Sequence, residues 1–170
     1  MFSIKAAAMP DDGMINSYAR QAGCYTDCFV AEISQDVTLS DFILAFFNTP
    51  VFRLERLLLG LFASRPSTDD DVANLASGAG NSLALWKVDA RDDNQLIMSV
   101  GSGPIRSWLM VVSDQTAANT SQLYFGSALL PVETGPNEKP KIGKLLRIFH
   151  VVHKFYARLL LWSTVRRLKR

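Results

Sequence analysis

The stretch HKFYARLLLWSTVRRLKR, residues 153–170, decides how the fold is read. Together with the residues before it, it keeps a helical period from Ile142 to near Leu168, about 40 Å of helix at 1.5 Å per residue. On a helical wheel Leu145, Phe149, Val152, Tyr156, Leu160 and Ser163 share one face, and Lys144, Arg147, Lys154 and Arg158 lie opposite. Up to residue 154 this is a core helix with a solvated basic back. Beyond it the back turns apolar as well, with Leu161, Trp162, Val165 and Leu168. A helix that is apolar all round needs cover on both sides. Three covers are open: the helical region 39–62, a second copy in a homodimer, or an anionic membrane surface. Trp162 followed by Arg166 and Arg167 suits such a lipid interface, and equally suits a helix end that favours cations.

Working back along the chain, a Pro/Gly/charged linker spans Val132 to Lys141. Before it lie four strand-like runs: Leu83 to Asp89, Leu96 to Val100, Ser107 to Ser113, and Gln122 to Pro131. They are separated by turn signals at 91–94 and 101–104 and by a polar loop, and the short spacing predicts antiparallel pairing. Lys87 and Asp89 mark a wet side, which points Ala84, Trp86 and Val88 inward. Ser107 and Ser113 place Trp108, Met110 and Val112 inward on the same reasoning, and Leu96, Met98 and Val100 join them. In Gln122 to Leu130 both alternating sets are apolar, and the face stays open. Upstream, Tyr25 to Ser34 reads as a first strand. Thr38 with Asp41 opens a helix that Pro50 stops, and a second helix runs from Val51 to Phe62. Ser67–Thr68 before the acid triplet 69–71 opens a short third helix, and the acids are explained as helix-start residues rather than metal ligands. Residues 1–20 read as a loose lead-in, leaving 21–170 as a single domain.

Composition fits one globular domain. The chain has 170 residues, 48% hydrophobic and 20% charged, enough for a sizeable core. The net charge of +2 conceals an asymmetry: residues 139–170 carry 10 of the 18 basic residues and none of the 16 acids. The N-terminal stretch lacks the apolar run of a secretory signal, and no segment reads as a membrane span. A cytoplasmic protein is expected, with a peripheral place at the inner membrane as the alternative. Cys24 and Cys28, about 13 Å apart on an extended strand, are expected to be reduced thiols.

Signatures of chemistry are sparse. His150 and His153 are the only histidines, and no carboxylate or cysteine sits beside them in sequence, so no metal is expected. Glycine-rich GAGNS (78–82) and GSGPIRS (101–107) lack phosphate-loop spacing. Asp27 and Glu32 point to opposite faces of their strand and form no acid–base pair; Asp27 is expected to be solvated. No nucleophile motif is present, no catalytic residue or cofactor is assigned, and an enzyme is the least favoured class. A basic end on an acidic body with no recognition motif argues against nucleic acid.

Three stretches carry a resemblance: FFNTPVFRLERLLLGLF (46–62), LALWKVDARDDNQLIMSV (83–100) and FHVVHKFYARLLLWSTVRRL (149–168). They resemble a bacterial domain-of-unknown-function family placed among START-like (SRPBCC, helix-grip) proteins. Its members similarly show a Phe-Phe-x-x-Pro step between helices and a long last helix with Phe-His, an apolar run and Arg-Arg. The likeness spans about residues 25–168. The chain departs from the pattern in GSGPIRSWLMV (101–111), where Arg106 is the only charged residue. The resemblance implies an α+β fold, with a curved antiparallel sheet wrapped around the C-terminal helix and two or three short helices after the first strand, often enclosing an apolar cavity. On that basis Trp86, Met98, Trp108, Met110, Tyr124, Phe149 and Tyr156 are expected to bind a hydrophobic small molecule or lipid; they would equally fill a solid core. The second expectation is an interaction surface built from Leu161, Trp162, Val165, Arg166 and Arg167. A START-like enzyme comes third.

Overall fold

The computed structural model describes residues 3–54, 56, 67–113, 119–131 and 144–169, and side chains only outside 144–152. The molecule is α+β. Seven strands form one antiparallel sheet: β1 (Lys5–Ala6), β2 (Tyr25–Ile33), β3 (Ser82–Leu83), β4 (Trp86–Arg91), β5 (Gln95–Val100), β6 (Ile105–Ser113) and β7 (Ser121–Leu129). Their order is β1-β2-β7-β6-β5-β4-β3, so β2 closes against β7 and the remaining strands meander back by hairpins. At the β4–β5 turn the Asp92 carboxylate accepts the backbone N–H groups of Asn94 (2.9 Å) and Gln95 (2.7 Å), which is why an aspartate stands there.

The helices start where the sequence supplies caps. In α2 (Leu39–Phe47) the Thr38 hydroxyl accepts from Asp41 N and the Asp41 carboxylate accepts from Thr38 N, each at 3.1 Å. After Asn48 the chain restarts: residues 50–54 are helical, Pro50 opens them, and Thr49 Oγ1 accepts from Phe52 N at 3.1 Å. The expected continuation over 57–62 lies outside the described residues. In α3 (Asp69–Ser77) Thr68 and Asp71 form a second capping box. Asp69 takes the guanidinium groups of Arg53 and Arg56, the latter at 2.9 Å. Two acids of the triplet are thus committed, Asp71 to the cap and Asp69 to the arginines. The other end of α3 is held by Gly78 at φ 81° and by Arg91, which donates to Ala76 O at 2.7 Å and to Leu75 O. The last helix, α4 (Lys144–Leu168), lies against β2 and α2.

Both sheet faces carry a packed apolar cluster. On the inner face Phe29, Leu109, Leu123 and Phe125 meet Phe42 and Phe46 of α2 and Leu160, Leu161 and Val165 of α4. On the outer face Cys28, Ile97, Trp108, Met110 and Ala128 pack beneath Ile15, with Met14 and Tyr18 beside it. Residues 1–20 are therefore no loose lead-in where described. β1 pairs with β2, the short helix α1 (Asn16–Ala19) follows, and Ile15 is fully buried. The tie is Gln95: its Oε1 accepts from Trp108 Nε1 (3.0 Å) and Met14 N (2.8 Å), and its Nε2 donates to Asp12 O (3.0 Å).

This arrangement corrects the facing of three residues. Trp108, Met110 and Val112 belong to the outer face, and Tyr124, whose face the sequence leaves open, joins them; Ser107, Leu109 and Phe125 point inward. Serines at the ends of β6 suggest a wet side, but Ser107 is a small inner residue whose strand is apolar on both faces. The alternation therefore carries no sign.

Candidate functional site

Between the helices and the β4–β5–β6 half of the sheet lies a cavity of about 500 Å³, partly open to solvent. The sheet supplies its floor through Trp86, Leu96, Met98, Leu109 and Phe125. Phe46, Phe47 and Phe52 wall it from the step between α2 and residues 50–54, and His153, Tyr156 and Leu160 wall it from α4. The Pro50 step has a clear local effect: by restarting the helix it brings three phenylalanines into contact, with Phe47 and Phe52 edge to face at 4.7 Å. Leu54, 58% exposed, also lines the cavity.

One corner is polar. Ser107 and Ser127 are cross-strand partners on β6 and β7, and Asp27 pairs with Ser127 across β2 and β7. His153 of α4 reaches this group, with Nε2 2.9 Å from Ser127 Oγ and 3.8 Å from Asp27 Oδ2. The Tyr25 hydroxyl donates to Asp27 Oδ2 at 3.4 Å. The Asp27 side chain is only 7% exposed, which overturns the expectation of a solvated acid. Its Oδ1 is buried without a hydrogen-bond partner among the described residues, as is the Nε1–H of Trp86 on β4, with three strands between it and β2 in the sheet. Burial, together with the Asp27 charge and hydrogen bond, raises the Tyr25 phenol above its usual range. Burial first and the Asp27 charge second push the Cys28 thiol up to about 12.

Serine, histidine and aspartate in one corner invite comparison with a hydrolytic triad. The geometry does not support it. Ser127 and Asp27 both approach the same ring nitrogen, whereas a triad needs the carboxylate on the opposite nitrogen from the nucleophile. The corner can hold and orient a polar group. Among the described residues no His/Cys/Asp/Glu group is arranged to hold a metal.

Of the residues expected to bind a ligand, Trp86, Met98 and Tyr156 line the cavity together. Trp108, Met110 and Tyr124 sit across the sheet from it, and the Phe149 side chain lies outside the described residues. Of the expected interaction surface, Leu161 and Val165 are 0% exposed and belong to the core shared with α2. Of the three covers open to the last helix, α2 is the one that buries these two residues. Trp162, Arg166 and Arg167 are exposed. The wall residues Phe46, Phe47, Leu109 and Phe125 were not singled out by the sequence. For the first two the signal was the Phe-Phe-x-x-Pro step, which places aromatics at a helix junction. No family model, curated protein or solved structure matches the chain.

Proposed function

We propose that the protein is a non-enzymatic carrier or sensor that binds a hydrophobic small molecule or lipid between sheet and last helix, on a START-like, helix-grip scaffold. The observation that carries the reading is the cavity of about 500 Å³ with an almost wholly apolar wall. That volume falls in the range of small-molecule sites, and packed interiors hold few voids larger than a water. The topology supports the scaffold: first long strand beside the last, helices between the first two long strands, and a long final helix across the inner face. The resemblance to the START-like domain-of-unknown-function family points the same way. The polar corner supports an amphiphilic ligand: His153 and Ser107 line the cavity, and Asp27, whose Oδ1 is buried without a hydrogen-bond partner among the described residues, lies behind His153. Native mass spectrometry of the purified chain is expected to show a one-to-one complex with an extractable apolar molecule, and the delipidated protein is expected to take up a fluorescent fatty acid. Leu109→Trp, which fills the cavity floor, is expected to abolish uptake while the fold is retained by circular dichroism. A wild-type chain that carries no adduct and takes up no probe would refute the reading.

A further inference from the structure

The solvent face of α4 follows a different logic from its cavity face. Phe155 is 71% exposed and Trp162 39% exposed. They stand two helical turns apart, about 10 Å along the axis. Arg158, Arg166 and Lys169 are exposed on the same arc of the helix, with Arg158 at its edge, its guanidinium 5.2 Å from the centroid of the Phe29 ring on β2. Arg166 lies over the Trp162 ring, 5.2 Å from its centroid. Residues 139–170 contain no acid at all, and every acid of the chain lies in residues 1–138. Two large aromatics interleaved with cations on one helix face, with no counter-charge on that helix, complement a surface that is negatively charged outside and apolar just beneath. We propose that this face docks the protein, side-on, to an anionic phospholipid bilayer, with Phe155 and Trp162 at the headgroup boundary and Arg158, Arg166 and Lys169 on the phosphates.

A second copy of the chain fits this face poorly. A two-fold contact would set Arg158, Arg166 and Lys169 against the same cations of the partner, which like-charge repulsion opposes. The residues proposed here also differ from the apolar back read from the sequence. Leu161 and Val165 are spent in the core, and Phe155 takes their place beside Trp162. The inference does not depend on the cavity being occupied, since the two faces of α4 are separate.

The test is co-sedimentation of the full chain with vesicles of phosphatidylcholine alone and of equal parts phosphatidylcholine and phosphatidylglycerol. The wild type is expected to bind only the anionic vesicles and to be released by high salt, because screening shortens from about 10 Å at 0.1 M to about 3 Å at 1 M. Replacing Arg158, Arg166 and Lys169 by Gln is expected to lower partitioning roughly five-fold per charge removed. The double variant F155A/W162A is expected to leave the salt dependence but weaken binding. All these side chains are exposed, so an unchanged thermal melt verifies that the fold survives. Failure of the wild type to bind anionic vesicles overturns the proposal, as does equal binding by the Gln variant. Light scattering that shows a dimer dissolved by F155A/W162A, or a gel shift showing polynucleotide preferred over vesicles, assigns the face to another partner and also overturns it.

Discussion

Gly126 is a glycine because Trp108 occupies the space its side chain would need. A Cβ there would sit 2.8 Å from Trp108 Cε3, 3.0 Å from Asp27 O and 3.1 Å from Ile15 Cδ1. Strand interiors tolerate glycine where another group approaches closely, and here an indole does. Gly126→Ala is expected to cost about 1–3 kcal/mol in a urea melt, with the near-ultraviolet signal of Trp108 altered. Cys28, the cross-strand neighbour of Gly126, gives a pH signature. Its thiol titrates near 12 in the fold against 9.0 when free of the structure. Between those values the folded chain keeps a proton that the unfolded chain has lost, so stability falls as pH rises through this window. The contribution is complete below pH 9.0 and fades towards 12. Denaturant midpoints measured up that window should fall more steeply for wild type than for Cys28→Ala. An equal slope in the two proteins would place the thiol in a wetter setting than the one described. Neither feature is visible in the letters GS or TDC alone, since each depends on which face of its strand the residue takes.

At the scale of elements, what is local was legible and what is reciprocal was not. Thr38 with Asp41 and Thr68 with Asp71 announce α2 and α3 within four residues, and both capping boxes are present. Asp92 and the glycines at 101 and 103 fix two strand ends in the same way. The inward direction of Trp86 and Val88 followed from Lys87 and Asp89 on the wet side. By contrast, β6 and β7 bury apolar side chains on both faces, so alternation could not say which set meets the helices. The N-terminal segment was misjudged for a related reason. Its docking depends on Gln95, some eighty residues away, accepting from Met14 N and Trp108 Nε1 together. Gln95→Leu leaves both N–H groups buried without that acceptor, which is expected to destabilise the protein by about 1–3 kcal/mol per group. The segment should then loosen first. Faster tryptic cleavage after Arg20 than in wild type is the expected readout, and an unchanged digest would show that packing on Ile15 suffices.

For the molecule as a whole, the pairing of β2 with β7 ties its two halves into one sheet. The register runs from Tyr25 opposite Leu129 to Ile33 opposite Ser121, without interruption. The cavity depends on this closure, because α4 can lie across the inner face only when β2 is in place beside β7. A fragment that stops at residue 118 lacks β7 and is expected to show no cooperative melt and strong binding of a hydrophobic dye. Adding residues 119–170 as a separate peptide should restore the transition. Non-local pairing of this kind also slows folding, because a long loop must close before its contacts form. During synthesis on the ribosome the consequence is sharper. The strand translated early must wait, sticky and single, until its distant mate has emerged, so translation pace and chaperone shelter govern how much protein a cell recovers.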